Sequence, residues 1–401
     1  MTEAITPDVI VVGLGAAGAA TLLALARAGV RAVGVDRFSP PHARGSTHGD
    51  TRITRLAIGE GEAYTPLAVG SHRLWRQLES ETGAALLTQN GGLVLESPGA
   101  QAAMHNRRDF LDRTIACAER FAIDHEVLGA DEIARRFPQF TLTGDERGYY
   151  EPGAGFVRPE ACVAAQLALA ERLGAGVRRS ERVVGIARDG AGVRVRTDSG
   201  EHAAERVVVA AGPWLPDLGP PALRVLLTVY RQVLAWFALR PDAVDHSPAA
   251  MPVYIWELGD GRFFYGFPAV DGPGGGLKAA GEQFDTSTTA DTARAGVDPG
   301  EPRALYDGVV GARLPGITQQ CLKAVRCLYT VTPDGDFVVD WHPDIEGVLL
   351  VSPCSGHGFK HSPALGEAVA SWLISGSRPD QLSPFGLDRP SLRVAARGTR
   401  P

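Results

Sequence analysis

A chain of 401 residues, 44% apolar and 21% charged, has enough apolar material for one large core or two, which excludes a disordered or fibrous protein. Its formal net charge of -6 provides no basic field for nucleic acid, although arginines gathered round a bound anion remain compatible with it. Five cysteines, Cys117, Cys162, Cys321, Cys327 and Cys354, are too few and too irregular for a disulfide framework or a zinc site, so no metal is expected and a reducing, cytoplasmic setting fits.

Taken in chain order, Val9–Ala20 reads VIVVGLGAAGAA. Val9–Gly13 predicts a buried strand, Ala16–Gly29 a helix ended by Gly29, and Arg31–Asp36 a second strand. In such a βαβ unit Gly13 permits a tight turn, Gly15 lets backbone amides approach a diphosphate, and Gly18 lets the helix pack close to the strand. Asp36, 18 positions after Gly18, is placed to accept hydrogen bonds from both hydroxyls of a ribose. The apolar stretch is neither a membrane span nor a signal peptide, because its glycines cluster at one turn and the preceding MTEAITPD carries acids.

After this unit the alternation stops. Glu62–Glu81 predicts an amphipathic helix, Gly92–Leu95 a short strand, Ala102–Phe121 a helix, and Gly148–Val157 a lead-in to a helix over Pro159–Leu173. Gly176–Ala210 changes to short strands with turns at Asp189-Gly190 and Ser199-Gly200, ending in VVVAAGPW at Val207–Trp214. A buried strand running into Ala-Gly-Pro suits a second contact with a dinucleotide, or simply a buried strand end. Val225–Leu239, Pro252–Leu258 and Arg262–Phe267 read as strands of a separate sheet. Their aromatic residues Tyr230, Trp236, Tyr254, Trp256, Phe264 and Tyr265 belong to its core or line a substrate cavity. Ala324–Thr330, Phe337–Asp340 and Val348–Val351 are expected to return the chain to the first domain. Ser355–Lys360 reads SGHGFK, an amide-rich turn ahead of a last helix over Pro363–Ile374. The expected architecture is a two-domain α/β protein. A discontinuous dinucleotide domain takes residues 1–90, 150–222 and 323–390, and a mixed-sheet substrate domain takes 91–149 and 223–322.

Four strings, GSTHGDTRITR at Gly45–Arg55, RFFYGFP followed by GGGLK ending at Lys278, RCLYTVTPDGDFVVD at Arg326–Asp340, and SGHGFK, resemble segments of one family. It is the monomeric sarcosine oxidase and N-methyltryptophan oxidase group of FAD-dependent amine oxidases, and the resemblance covers nearly the whole chain. It implies a Rossmann-like FAD domain, with FAD attached through a cysteine thioether at the position of Cys327. It also implies a monomeric oxidase of a secondary-amine amino acid, with hydride transfer to the flavin, an imine product, and reoxidation by O2 to hydrogen peroxide. An oxidase or imine-forming enzyme for a bulky or cyclic amino acid in a biosynthetic route is the alternative within this class. A flavin dehydrogenase with a non-oxygen acceptor is the alternative outside it.

By the same resemblance Arg55 and Lys360 hold the substrate carboxylate, a planar fork opposite a point charge. Arg52 lies close to the flavin ring, and Lys278 aids the reaction with oxygen by stabilising the superoxide anion as it forms. His48, Tyr265 and Tyr329 match further pocket positions, with the tyrosines orienting the substrate and biasing its amine toward the neutral form. Gly356, His357 and Gly358 bring amides toward the flavin, and His357 alternatively anchors the turn. Sarcosine oxidases commonly have a histidine where this chain has Glu282. An acid there pairs with the substrate ammonium or with Lys278, or points away.

Overall fold

The structure, a computed structural model, describes residues 7–99, 108–258 and 262–395. Its first unit follows the sequence pattern, with a strand at Val9–Val12, a helix at Ala16–Arg27 and a strand at Ala32–Val35. All four residues of Val9–Val12 are buried, as suits a central parallel strand covered on both faces. The sheet around it has six strands, in the order Val338–Trp341, Val348–Ser352, Arg206–Val209, Val9–Val12, Ala32–Val35 and Gly176–Arg178. The first of these is antiparallel to its neighbour and the rest are parallel. Beginning, middle and end of the chain therefore meet in one sheet.

Helices Ala16–Arg27, Thr65–Thr82, Pro159–Arg172 and Ser362–Ser375 bury one side of this sheet through Leu22, Leu67, Trp75, Val163, Leu365 and Val369. The opposite side packs Ile10, Val12 and Val207 against Val193 and Val195, which belong to a three-stranded antiparallel sheet.

A larger nine-stranded sheet stands beside this layer. It joins Thr228–Leu239 to Leu277–Gly281, then Phe263–Phe267, Val253–Glu257, Gly92–Glu96 and Arg147–Glu151. Val253–Glu257 and Gly92–Glu96 run parallel, and the other pairings along this path are antiparallel. Successive strand residues point to opposite faces. One face is accordingly an apolar core of Leu93, Tyr254, Trp256, Phe264, Leu277, Ala279 and Phe237. The other carries Trp236, Ala280, Tyr265, Cys327 and Tyr329 toward the six-stranded domain.

Several elements differ from the sequence expectation. Val225 lies in a short helix, Pro221–Leu226, because prolines at its start fix a helical φ where no amide donor is needed, and the strand begins at Thr228. A single 3-10 turn, Glu62–Tyr64, precedes the helix at Thr65. Gly148–Val157 splits into the strands Arg147–Glu151 and Gly155–Val157. Of the helix expected over Ala102–Phe121, residues 102–107 lie outside the described residues, and the remainder forms Phe110–Arg120. Ala324–Thr330 does not return the chain to the first domain. It is the end of a 15-residue strand, Ile317–Val331, paired antiparallel along Thr228–Leu239.

Candidate active site

The glycine turn has the geometry a diphosphate requires. Gly13 has φ +86°, and a Cβ there would sit 2.6 Å from the carbonyl oxygen of Ala210. A Cβ on Gly18 would come within 1.8 Å of the Gly13 carbonyl, so the helix reaches the turn only because that residue is glycine. Gly15 caps the helix, and its Cβ direction meets no atom nearer than Thr47 Oγ1 at 3.3 Å, which leaves the helix N-terminus approachable. Asp36, 6% exposed, accepts the Leu14 amide (2.7 Å) and the Phe38 amide (2.8 Å), tying the turn to the second strand. Oδ1 also has His42 Nε2 at 3.5 Å, and Oδ2, which accepts only the Leu14 amide among the described contacts, keeps a lone pair for a ribose hydroxyl.

From this turn a single cleft runs past Ala211, Pro213 and Trp214, then Ser46 and Thr47, to Tyr265, Tyr329, Arg55 and Lys360. The space between its walls is about 1830 Å³, its open mouth included. The glycine turn, the terminal acid and the residues lining the cleft fit an extended dinucleotide with its adenosine end at Asp36 and its ring system toward the large sheet.

At the inner end the two expected clamp residues converge. Arg55, 3% exposed, donates to the Ala57 carbonyl (2.6 Å) and to Glu60 Oε2 (2.5 Å). Lys360, 6% exposed, donates to the His357 carbonyl (2.8 Å) and stands 3.7 Å from Glu60 Oε1. Glu60 thus serves both cations, and removing it would leave two buried charges poorly compensated, at a cost of about 3–5 kcal/mol. Burial lowers the Lys360 ammonium from 10.5 to about 8; Glu60 pulls it up and Arg55 pushes it down. The loop carrying Arg55 is fixed by Glu151, whose carboxylate accepts the Leu56 amide (2.7 Å), the Ala57 amide (3.1 Å) and the Tyr149 hydroxyl (2.8 Å). Sequence reasoning missed Glu60 and Glu151. Glu60 lies five positions after Arg55 in the GEGE run and was legible as a nearby acid, whereas Glu151 is distant in sequence and carried no signal.

Arg52 lies on the edge strand Arg52–Thr54 and also lines the cleft. Its Nη2 donates to the Ser46 carbonyl (2.9 Å) and lies 3.4 Å from Cys327 Sγ. The hydroxyls of Tyr265 and Tyr329 are 3.2 Å apart, and burial pushes both phenols above the ordinary range, so both remain protonated. Glu282 lines the same inner wall.

Three expected residues stand behind the wall rather than on it. Lys278, 2% exposed, donates to the carbonyls of Gly49 (2.7 Å) and Thr51 (2.9 Å), lies 3.2 Å from the Thr51 hydroxyl, and sits over the Phe267 ring at 4.4 Å. Burial, with Arg52 close by, lowers its ammonium well below the usual lysine range. His48 is held neutral, at about 3, by burial and by Arg52, Lys278 and Arg326. Cys327 is fully buried, its sulfur 3.6 Å from the Ser46 carbonyl. The competing thiol, Cys354, does line the cleft; its sulfur accepts the Thr330 amide at 3.4 Å, and burial raises its pKa. Arg326, next to Cys327 on the strand, points the other way and donates to the Arg44 carbonyl.

The SGHGFK turn closes the site. Gly356 has φ +86°, and a Cβ on Gly358 would lie 1.5 Å from the Pro353 carbonyl. The His357 ring stacks on Phe337 at 5.0 Å with Nε2 3.1 Å from the Gly335 carbonyl, so its imidazole anchors the turn while its own carbonyl holds Lys360. The last helix begins at Ser362, one residue before the expected start.

Among the described residues, no helix is long and apolar enough to cross a membrane, and no group of three or more His, Cys, Asp or Glu is arranged to hold a metal ion. A monomeric sarcosine oxidase of Streptomyces avermitilis is 37% identical over 396 residues, 98% of this chain and 99% of its own length. An N-methyl-L-tryptophan oxidase of Yersinia pestis is 32% identical, covering 95% and 99%. The solved structure of NikD, described as an unusual amino acid oxidase essential for nikkomycin biosynthesis, superposes with a TM-score of 0.79 at 26% identity, over 95% of this chain and 97% of that one. Residues 8–372 match the model of the FAD dependent oxidoreductase family, and with the glycine turn, Asp36 and the long cleft leading to a cationic inner end, the chain belongs to that family.

Proposed function

We propose that the protein is an FAD-dependent oxidase of a secondary-amine amino acid, N-methyl or cyclic, yielding an imine and hydrogen peroxide. The observation that carries this is the convergence of Arg55 and Lys360 at the inner end of the dinucleotide cleft. FAD, when bound, accepts a hydride from the carbon beside nitrogen and passes the electrons to oxygen. Gly13, Gly15, Gly18 and Asp36 would hold its diphosphate and ribose, Gly356 and Gly358 would bring amides to its ring, and Cys327 would attach it covalently.

The remaining work falls to the chain itself. Arg55 and Lys360 exchange part of their bonding to Glu60 for the substrate carboxylate, which fixes the amino acid in one orientation. Tyr265 and Tyr329, kept protonated, donate hydrogen bonds to the substrate and disfavour a further positive charge beside Arg52. Lys278, with His48 behind the same wall, serves the oxygen side of the reaction through the positive field it shares with Arg52. All five cysteines are free, which supports a reducing, cytoplasmic compartment. The monomeric sarcosine oxidases among its relatives support a single-chain active unit.

Ile53, Ile255, Phe263 and Phe267 add an apolar wall to the cleft. This favours a side chain larger than the hydrogen of sarcosine. A panel of sarcosine, N-methyl aromatic amino acids, proline and pipecolate, followed by peroxide release and anaerobic bleaching of the flavin, tests both levels. Peroxide from at least one substrate is expected, with sarcosine not the best. Absence of bleaching by any of them refutes the oxidase reading, and reduced enzyme persisting in air points instead to a dehydrogenase.

A further inference from the structure

Hydride leaves an amino acid only when the nitrogen has a free lone pair, yet a secondary amino acid reaches the protein at neutral pH as an ammonium. A group within the cleft must therefore take a proton. Most candidates are committed elsewhere. Asp36 is bound to the Leu14 amide at the glycine turn, and Asp217 lines the cleft from the short helix Leu215–Leu218 that follows Trp214. Glu60 is bound to Arg55, and His357 Nε2 is turned to the Gly335 carbonyl. The tyrosines already hold their protons, and His48 is not on the cleft wall.

The large sheet places one further carboxylate correctly. Lys278 pairs with Phe267 and Ala280 with Tyr265, the strand ends with Gly281 opposite Phe264, and Glu282 follows directly. Glu282 lines the inner end of the cleft together with Arg55, Lys360, Tyr265 and Tyr329, whereas Lys278 of the adjoining strand stands behind its wall. We propose that Glu282 faces the substrate nitrogen and is the base that accepts its proton, while the carboxylate is held at Arg55 and Lys360. One N–H bond breaks, an O–H bond forms on Glu282, and the electron pair stays on nitrogen. FAD, when bound, would supply the acceptor for the hydride of the α C–H bond, the hydrogen leaving with both electrons. The charge on Glu282 is felt across this end of the site, raising Lys360, Tyr265 and Tyr329 together.

The inference rests on the oxidase reading above, and its test separates the two. Two carboxylates that differ at the amine position, zwitterionic N,N-dimethylglycine and (methylthio)acetate, whose thioether sulfur is neutral, are titrated calorimetrically into the FAD-bound protein, and kcat/KM is followed against pH. E282Q should lower kcat/KM near neutrality by about 100-fold and move the rising limb toward the pKa of the free amine. It should weaken the zwitterion and leave the thioether unchanged, and E282D should restore the limb. In the native protein the zwitterion should bind more tightly than the thioether, a measurement that needs no variant. An unmoved limb, equal weakening of both ligands, or no native preference for the zwitterion overturns the proposal. Failure of every secondary amino acid to bleach the flavin would sink the oxidase reading, and the ligand pair would still judge whether Glu282 meets the amine.

Discussion

Lys360 gives the candidate clamp a pH dependence that follows from its surroundings. Burial brings its ammonium from 10.5 to about 8, against the pull of Glu60. A ligand carboxylate is attracted to the ammonium and not to the neutral amine. The affinity of a carboxylate without a titrating amine, such as (methylthio)acetate, should hold at lower pH and fall about tenfold for each pH unit once pH exceeds the lysine pKa. A charge-assisted hydrogen bond contributes about 1.5–3 kcal/mol, so the fall should level off after roughly 10- to 100-fold, when Arg55 alone holds the ligand. Calorimetric titration of the FAD-bound protein from mildly acidic to alkaline pH reads this directly. K360M should bind weakly at every pH. E60Q removes the carboxylate that raises Lys360, so its break should move to lower pH. A native affinity that stays flat through the lysine titration, or a break that survives in K360M, would refute the reasoning.

Acid precipitation of C327S should release the yellow colour, whereas C354S should keep it on the Cys327 peptide; the reverse result would make the cleft-lining thiol the attachment point. Glu257, 2% exposed, has its carboxyl raised to about 7 by burial and by Glu96 and Asp109, so between its ordinary 4.5 and that value the folded protein holds a proton the unfolded chain releases. Stability should therefore decline as pH rises through that window, by at most about 3 kcal/mol, and E257Q should remove the decline; equal slopes in the denaturant midpoints of the two proteins would contradict this. E151Q should loosen the Leu56–Ala57 turn that carries Arg55, raising KM for carboxylate substrates roughly tenfold with little change in kcat or FAD content, and an unchanged KM would remove Glu151 from the positioning of Arg55.

The dinucleotide unit was legible because its constraints act on the backbone. A positive φ at Gly13 and the contact between Gly18 and the Gly13 carbonyl leave glycine as the fitting residue, and glycine shows in any sequence. The clamp and Cys327 were legible through resemblance, since RITR and RCLY state no chemistry by themselves. The strand Ile317–Val331 was misread because it meets its partner Thr228–Leu239 with its first half only partly buried. Its polar ITQQCLK stretch hid the strand until the apolar run near Ala324. Glu151 was illegible for the opposite reason: a buried acid that accepts from backbone amides looks in sequence like any solvated one. Depth behind the wall was also invisible, so Lys278, His48 and Cys327 were expected at the surface of the site.

The strand Leu277–Gly281 carries Lys278, and Glu282 follows its last residue directly. Exchanging the side chain at position 282 leaves the lysine in place, so taste for one amine or another is open to drift by point substitution. Gaining or losing a single residue between the two would turn the acid over into the oily layer around Phe237 and Trp256. Lineages descended from this chain should therefore vary the letter at 282 and conserve the count of residues before it.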